Sequence, residues 1–249
     1  MKKRSKRADK DVRIKFLYDN VSIRPDVKPA WGFSALIKYQ GRTILFDTGG
    51  KPEVLLANIR KLKISPVLVG DIFISHNHWD HSGGLFSFLC HNHRVKVFLP
   101  ASFSETYQKE IKASGAKPIR IDGFTRLARD IYSTGSLGKG IIEQALVIDT
   151  PRGLIIITGC AHPGIVTIVR TAVKLLGKTV FAVLGGFHLA SKSAEAIEKI
   201  ISEFKKIGVV FVAPCHCTGE KAIKQFKAAY GERFIPVGAG SEIDWSLNK

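Results

Sequence analysis

The feature that most constrains how this chain can fold is a set of four short apolar runs, each ending within a few residues in a histidine. The runs and their continuations are DIFIS before SHNHWDHSGGL, GLIII before TGCAHPG, TVFAV before LGGFHL, and VVFVA before APCHCTG. Short apolar runs bounded by glycine or proline are typical of buried strands. Binding sites in α/β sheets are assembled where strands end. The pattern therefore predicts a sheet-based fold that gathers histidines at one edge.

Strand-like and helix-like segments alternate along both halves of the chain. Strands are predicted at 12–18, 33–39, 42–48, 71–75, 94–100, 145–150, 153–158, 179–185, 209–213 and 233–238, and helices at 52–62, 82–90, 102–113, 164–176, 191–206 and 219–229. Each half begins with a hairpin and continues with strand–helix alternation, which favours two mixed sheets packed face to face with helices outside. We therefore expect an α/β fold, a four-layer αββα sandwich, as a single domain over residues 12–249.

The chain is strongly basic, with 38 Lys and Arg against 21 Asp and Glu and a formal net charge of +17. Basic residues are concentrated at the start, in MKKRSKRADKDVR. This run predicts a basic, disordered tail at residues 1–11, with contact to nucleic acid or an anionic surface as the alternative. The remaining positive charge identifies no partner by itself, although it favours a small anionic substrate.

Composition excludes several other classes of protein. A hydrophobic content of 45% is enough to build a core and excludes global disorder. The chain has no apolar run long enough to span a membrane, and its basic N-terminus is not followed by a signal-peptide core. We therefore expect a cytoplasmic protein without membrane contact. The single Met and the four Cys favour a thermophilic source.

The four cysteines are too few for a disulfide scaffold in a chain of this size. Cys215 and Cys217 flank His216, and in an extended strand both would point away from its face, so core packing is favoured for both. Cys160 precedes His162 by two residues and could share its face. Packing is again favoured for Cys160, with a thiolate ligand or a redox contact as the alternative.

The segment HNHWDH (76–81) contains the ligand types that a divalent metal site needs. Imidazole and carboxylate groups suit Zn, Mn or Fe. In an extended segment His76 and His78 face the same side and can share a metal, whereas Asp80 and His81 follow a turn and could serve a second one. Two further histidines with similar spacing lack the following Asp-His and are predicted to lie in a loop, namely His91 and His93.

Two glycine-rich segments near this motif are candidates for anion binding. Ser82, Gly83 and Gly84 open a predicted helix, and backbone N–H groups at a helix start favour an anion. Lys51 lies in the turn GGKPE beside the start of another predicted helix and could hold a substrate phosphate. A plain surface turn is the alternative for Lys51.

From residue 12 onward the chain resembles the metallo-β-lactamase-fold superfamily, which carries an H-x-H-x-D-H motif. The likeness includes HNHWDH, the Asp47 of LFDTGG, and the later histidines His162 and His216. GCAHPG, GGFHL and CHCTG are similar to a subgroup that contains archaeal dihydropterin–ribofuranosylaminobenzene-phosphate synthase. The resemblance implies two ligand sets and one supporting acid: His76, His78 and His162 for one metal, Asp80, His81 and His216 for a second, and Asp47 orienting a ligand histidine.

In one respect the sequence departs from the superfamily. Many members have a metal-bridging Asp after the strand that follows the segment of His162, but this stretch reads AVLGGFHL and has no acid. Without this acid, the site could hold its metals less symmetrically, or one of the two metal sites could be weak. Alternatively, His188 could take the place of the missing acid. The subgroup resemblance implies that His188 is a metal ligand or a substrate contact. We expect one or two divalent ions per chain, with Zn favoured and Mn or Fe as alternatives.

The favoured hypothesis is a metal-dependent hydrolase in which a bound ion lowers the pKa of water to generate hydroxide. Asp80 would hold that water and act as general base, His188 would assist, and the substrate would be a small phosphorylated compound. The alternative implied by the subgroup is a transferase that couples a pterin diphosphate to an aminobenzene-ribose phosphate with loss of diphosphate. A nuclease and a non-catalytic metal-binding module are less favoured, and the oligomeric state is not predicted.

Overall fold

Two β-sheets that face each other organise residues 11–247, which are the residues that the computed structural model describes. The strands are β1 (Val12–Tyr18), β2 (Ser34–Tyr39), β3 (Arg42–Phe46), β4 (Asp71–Phe73), β5 (Lys96–Pro100), β6 (Lys117–Ile121), β7 (Thr125–Ala128), β8 (Ile131–Ser133), β9 (Leu146–Thr150), β10 (Gly153–Thr158), β11 (Val180–Gly186), β12 (Phe211–Cys215) and β13 (Glu242–Trp245). The α-helices are α1 (Pro52–Lys61), α2 (Trp79–Ser82), α3 (Leu85–Leu89), α4 (Glu105–Ala113), α5 (Ile165–Leu176), α6 (Ala194–Ile207) and α7 (Glu220–Tyr230). The predicted basic tail lies, apart from Asp11, outside the described residues.

Both sheets are mixed, as the sequence predicts. The first has the strand order β13-β1-β2-β3-β4-β5-β6, antiparallel as far as β3 and parallel from β3 to β6. The second has the order β12-β11-β10-β9-β8-β7, in which β10, β11 and β12 are parallel neighbours. The carboxyl ends of β10, β11 and β12 therefore lie side by side at one edge.

Strand β10 shows how one segment joins two layers of the fold. Ile155 and Ile157 pack into the core between the two sheets, whereas Leu154 and Ile156 pack into a second core with helices α5, α6 and α7. Successive residues of a strand point to opposite faces, so a continuous apolar run can fill both cores. A third core joins the outer face of the first sheet to α1, α3 and α4. This arrangement is the predicted α/β fold, a four-layer αββα sandwich.

Helix ends are set by local signals that the sequence makes visible. The Ser104 and Ser193 side chains cap α4 and α6 by accepting backbone N–H bonds from Tyr107 and Ala196. Gly208 ends α6 in the left-handed region with φ +85°, a conformation that glycine adopts without strain. In the described part of the chain no helix is both long and apolar enough to cross a membrane.

The prediction of a final strand at 233–238 is wrong. Gly231–Arg233 form a single 3₁₀ turn, after which the N–H of Ile235 donates to the Val212 carbonyl at 2.9 Å. Pro236 has no N–H to continue a ladder, so pairing stops there. The final strand is β13, which pairs antiparallel with β1 at the edge of the first sheet.

Besides β13, three further strands were not predicted from the sequence: β6, β7 and β8. They read KPIRI, TRLA and IYS, and most of their residues are partly exposed. β6 and β7 form one outer edge of each sheet. Proteins often use short, charged strands at sheet edges because such strands pair poorly with other chains. Their weak apolar pattern makes them difficult to recognise from the sequence.

Candidate metal centre

The structure brings the predicted ligands together where the two sheets meet at one edge. His76, His78, Asp80 and His81 follow β4 in the first sheet, with the last two on helix α2. The remaining histidines follow the three parallel strands of the second sheet, His162 after β10, His188 after β11 and His216 after β12. Strand ends from both sheets therefore supply one cluster of donors.

The first donor set consists of His76, His78 and His162. Its ring centroids are 4.6 Å apart for His76 and His78, 4.8 Å for His76 and His162, and 4.9 Å for His78 and His162. Burial and the neighbouring histidines lower the pKa of His76 well below its usual value and that of His162 to about 4. Neutral imidazoles result, and these are the form that binds metal.

The second donor set consists of Asp80, His81 and His216. Asp80 Oδ2 lies 3.7 Å from His81 Nε2 and 3.4 Å from His216 Nε2. Although burial alone would raise it, the two histidines lower the pKa of Asp80 to about 2, so the carboxylate is ionised at neutral pH. The rings of His76 and His81 are 4.2 Å apart, so the two donor sets adjoin each other.

Asp47 contacts the second donor set at His81, on the side of the ring that faces away from the cluster. Its Oδ1 accepts the backbone N–H of Ser75 and its Oδ2 accepts the Ser75 hydroxyl, both at 2.7 Å. The same Oδ2 is 2.7 Å from His81 Nδ1, which leaves His81 Nε2 facing the cluster. Asp47 is fully buried with φ +50°, a strained conformation for a non-glycine residue. Asp47 therefore contacts His81, one of the histidines predicted to be a ligand.

Glu143 is a site residue that sequence reasoning missed. Its buried carboxylate accepts four backbone N–H groups, from Gly159, Cys160 and Ala161 on Oε1 and from His162 on Oε2, at 2.9 to 3.1 Å. Burial raises the pKa of Glu143, and these four bonds oppose the rise. A single acid in the otherwise uncharged stretch GIIEQALVI is the signal that could have identified it.

His216 is oriented by Asn20, which also was not predicted. Asn20 Oδ1 lies 3.1 Å from His216 Nδ1, and Asn20 Nδ2 donates to the His216 carbonyl at 3.1 Å. His216 has φ +51°, and the ring of Trp31 lies 5.2 Å from its imidazole. Burial would lower the pKa of His216, but its contact with Asp80 outweighs this effect and the pKa is raised.

His188 lies at the open side of the first donor set. Its ring is exposed, 4.4 Å from the ring of His162, and it too has a positive φ of 55°. A hydrogen bond with Cys217 raises the pKa of His188, although burial opposes the rise. Its position is compatible with either role implied by the resemblance, metal ligand or substrate contact.

The last residue of β11, Gly186, lies where there is little room for a side chain. A Cβ at Gly186 would lie 2.3 Å from the Gly159 carbonyl oxygen, 2.7 Å from Cys217 Sγ and 3.3 Å from the Cα of Cys160. Real Cβ atoms essentially never approach within 3.0 Å, so this position takes no larger side chain without rearrangement. The loop that carries Cys160 fills the space beside it.

The buried cysteines divide into two groups. Cys215 packs in the core between the sheets, as predicted. Cys160 Sγ lies 3.2 Å from His81 Nε2, and donor atoms of Cys160, His188 and Cys217 all lie within 4.8 Å of one another. Core packing away from the histidines is therefore the wrong interpretation for Cys217, because the turn after β12 rotates its side chain toward the cluster.

The backbone N–H groups predicted to bind an anion near the start of α2 and α3 are already hydrogen-bonded within the protein. The backbone N–H groups of Ser82, Gly83 and Gly84 donate to the carbonyls of His78, Trp79 and Gly49, respectively, and the Ser82 hydroxyl also donates to His78. Lys51 precedes α1, with its side chain exposed and its backbone N–H bonded to the Tyr18 hydroxyl at 3.1 Å. The plain surface turn remains an equal alternative for Lys51.

The donor cluster fits divalent metal. Buried polar atoms normally have a partner, yet within residues 11–247 the buried Nε2 atoms of His162 and His216 have no hydrogen bond. Donor atoms of His76, Cys160 and His162 lie within 4.8 Å of one another, as do those of His81, Cys160 and His216. Imidazole, carboxylate and thiol groups at this spacing suit a metal such as zinc.

Comparison of the sequence with known proteins gives two consistent matches. Residues 32–172 match the metallo-beta-lactamase superfamily. The chain is also 31% identical to the 7,8-dihydropterin-6-methyl-4-(beta-D-ribofuranosyl)-aminobenzene-5'-phosphate synthase of Methanocaldococcus jannaschii. That alignment covers 86% of this chain and 91% of the synthase.

Two solved structures are similar over nearly the whole chain. Tm1679, described as a metal-dependent hydrolase of the beta-lactamase superfamily, has a TM-score of 0.80 at 30% identity, covering 94% of this chain and 99% of that one. The metallo-beta-lactamase fold protein YhfI from Bacillus subtilis has a TM-score of 0.71 at 11% identity, covering 95% and 100%. The second likeness concerns the fold alone.

Proposed function

Because this chain belongs to the metallo-β-lactamase superfamily, we propose that it is a metal-dependent synthase that joins a dihydropterin to a phosphorylated aminobenzene riboside. The predicted resemblance to the superfamily and to the synthase subgroup is confirmed. The observation that carries the proposal is the 31% identity to the archaeal synthase over 86% of the chain. The comparison favours the transferase alternative over the hydrolase that the sequence analysis preferred.

Two donor sets of this chain would hold the metal. They are the rings of His76, His78 and His162, and the second set of Asp80, His81 and His216. When bound, a divalent ion would supply Lewis acidity to phosphate oxygens and so help a diphosphate leave. The buried Nε2 atoms of His162 and His216, which have no hydrogen bond among the described residues, support this assignment.

Two exposed indole rings beside the donors suit a substrate with flat rings. Trp31 and Trp79 are 53% and 60% exposed, and the ring of Trp31 lies 5.2 Å from that of His216. A Cβ at Gly50 would lie 2.3 Å from the Trp79 ring and 3.2 Å from the backbone carbonyl oxygen of Trp31, so Gly50 is a neighbour of both residues. Aromatic rings stack on indole with a gain of about 1 kcal/mol beyond area burial. The pterin and aminobenzene rings would bind here.

His188 and the overall charge serve the phosphate groups in this proposal. The raised pKa of His188 extends the pH range in which its ring is cationic and can donate to a phosphate oxygen. A net charge of +17 draws anionic substrates toward the site. Asp80, with its pKa lowered to about 2, remains an ionised ligand rather than a proton donor.

The decisive experiment measures diphosphate release. Zinc-loaded protein is incubated with a dihydropterin diphosphate, with and without the aminobenzene-ribose phosphate. The proposal expects release that requires the aromatic co-substrate and is matched by one coupled product per diphosphate. His76→Ala, which removes a donor, should abolish the reaction, whereas His91→Asn on the surface should not.

The hydrolase remains the second candidate because Tm1679, 30% identical to this chain, is described as a metal-dependent hydrolase. Diphosphate release at equal rates with and without the aromatic co-substrate would favour this candidate and contradict the synthase. A protein that retains no divalent metal, with His76→Ala unchanged in metal content, would contradict both candidates.

A further inference from the structure

We propose that Cys160 is a thiolate ligand shared by both donor sets, a role that rests on the metal binding in the proposed function. The sequence analysis favoured simple packing for this residue. In the structure its side chain lies at the junction of the two sets, between histidines that come from the first and second sheets. Three independent observations support the assignment.

The first is the contact between Cys160 and His81. Cys160 Sγ is 3.2 Å from His81 Nε2, and both side chains are buried. Since Asp47 engages His81 Nδ1 at 2.7 Å, Nε2 is the nitrogen left to face a metal. Zinc binds sulfur at about 2.3 Å and imidazole nitrogen at about 2.0 Å, so sulfur and nitrogen ligands of one tetrahedral ion lie about 3.5 Å apart. The observed separation is close to that spacing.

The second is that the same sulfur reaches both donor sets. Cys160 Sγ lies within 4.8 Å of ligand atoms of His76 and His162, and equally within 4.8 Å of ligand atoms of His81 and His216. The buried Nε2 atoms of His162 and His216 have no hydrogen-bond partner in the described chain. One buried nitrogen without a hydrogen bond therefore belongs to each set, and Cys160 lies near both.

The third is that the backbone fixes Cys160 in this position. Its N–H donates to Glu143 Oε1 at 3.0 Å, within a loop in which Ala161 has a strained φ of +60°. A Cβ at Gly186, in the stretch AVLGGFHL that has no acid, would lie 3.3 Å from the Cα of Cys160. The Cys160 loop therefore lies against this acid-free stretch, and its thiol, deprotonated on metal binding, can bridge the two sets.

Cys217 is the rival residue, since its sulfur is also buried nearby. Its Sγ lies 3.7 Å from the Cys160 carbonyl oxygen, and hydrogen bonds from Cys160 and His188 lower the pKa of Cys217. Cys217 Sγ lies within 4.8 Å of donor atoms of Cys160 and His188, whereas Cys160 Sγ also lies within that distance of donor atoms of both predicted sets. In this proposal Cys217 is therefore a neighbour that bonds to His188, and not a ligand.

X-ray absorption at the zinc edge tests the proposal without an activity measurement. The zinc-loaded protein should show a sulfur neighbour at about 2.3 Å. The signal should disappear in Cys160→Ser and persist in Cys217→Ser and in Cys90→Ser, whose sulfur is exposed. With two zinc ions per chain, a shared sulfur gives one sulfur neighbour per ion, whereas half that value would overturn the sharing.

A second variant keeps the test decisive if Cys160→Ser does not fold. A triple variant with Ser at positions 90, 215 and 217 leaves Cys160 as the only cysteine. Retention of the sulfur signal supports the proposal, and its loss overturns it. If zinc in the wild-type protein has only nitrogen and oxygen neighbours, the proposal that Cys160 is a ligand is wrong, but the proposed function stands. If the wild-type protein binds no zinc, both proposals are wrong.

Discussion

Two buried carboxylates, Asp47 and Glu143, support the two halves of the donor cluster, and they do so in different ways. Asp47 follows β3 in the first sheet and contacts the predicted ligand His81 directly through its side chain at 2.7 Å. Glu143 precedes β9 in the second sheet, and its carboxylate binds the backbone N–H groups of the loop from Gly159 to His162. One acid orients a ring, and the other shapes a loop.

The difference follows from how the donors are arranged in the sequence. Four donors of the first half lie within HNHWDH, so one short turn and helix α2 hold them and only the ring orientation remains to be set. The donors of the second half come from three separate strand ends, and two of them, His188 and His216, have positive φ. The loop that Glu143 binds likewise contains Ala161 with φ +60°, which strains a non-glycine residue, so this loop needs bonds to its backbone to persist.

The largest expected effect is on stability, when Glu143 is replaced by Ala. The change leaves the four N–H groups of Gly159, Cys160, Ala161 and His162 without their acceptor in a buried loop. Each unpaired buried donor costs about 1–3 kcal/mol, and with partial relaxation we expect a loss of about 4 kcal/mol in the free energy of unfolding. Urea unfolding of the metal-free protein measures this loss.

Glu143→Gln serves as the milder variant. It keeps one oxygen, so its free energy of unfolding should fall by about half as much. A loss below about 1 kcal/mol in Glu143→Ala would contradict the role of Glu143 in holding the loop.

The next largest effect concerns pH and His81. Burial lowers the pKa of His81 to about 4 from a usual value of 6.5, so between these pH values the unfolded chain binds more protons than the folded one. The free energy of unfolding should therefore rise as pH increases across this window and fall as pH decreases. The contribution of His81 to this change is at most about 3 kcal/mol.

The contribution of His81 can be isolated by substitution. The raised pKa values of Asp47 and Glu143 act in the opposite direction, so the total slope alone is not diagnostic. In the metal-free protein His81→Asn should depend less steeply on pH between about 4 and 6.5 than the wild type does. His91→Asn, which changes an exposed histidine, serves as the control and should keep the wild-type slope. Equal slopes in wild type and His81→Asn would show that the ring is not held neutral.

The same comparison explains what could be predicted from the sequence. Asp47 was predicted because it lies in LFDTGG, next to a glycine turn, and because the resemblance assigns it a role. Glu143 was not, because its contacts are with backbone N–H groups, which every residue has and no side-chain pattern records. The two layers of strands were predicted because apolar runs such as GLIIIT fill two cores, whereas KPIRI and TRLA were missed because edge strands have little apolar pattern.

The position of Cys217 marks the limit of periodicity arguments. Alternation along an extended strand would turn Cys215 and Cys217 to the same face, away from His216. The strand ends at Cys215, however, and His216–Thr218 form a 3₁₀ turn with φ +51° at His216. A single left-handed residue reverses the direction of the side chains that follow, and no local sequence signal announces it. Site geometry beyond the last strand residue therefore had to come from the structure.

A smaller effect is expected on metal affinity when Asp47 is changed to Asn. The substitution removes the negative charge that faces His81 Nδ1 while it keeps an oxygen for the N–H of Ser75. Loss of such a supporting carboxylate typically lowers metal affinity about 10- to 100-fold. Competition with a chelating dye measures the affinity for zinc. Asp47→Asn should therefore affect binding more than Glu143→Gln does; the reverse order would show that the two carboxylates do not have the separate roles described above.

The smallest effect is expected at Asn20, which belongs to the first half of the chain but orients a donor of the second. Its side chain contacts His216 at both Nδ1 and the carbonyl oxygen, each at 3.1 Å. Asn20→Ala removes neutral hydrogen bonds to His216 that contribute about 1 kcal/mol. We therefore expect the affinity of the second donor set for zinc to fall about fivefold, as measured by the same dye competition. Asn20→Asp keeps an oxygen for the His216 ring and should retain more affinity than Asn20→Ala. If Ala and Asp weaken binding equally, the oxygen does not orient the ring, and the strained backbone of His216 alone must hold it in place.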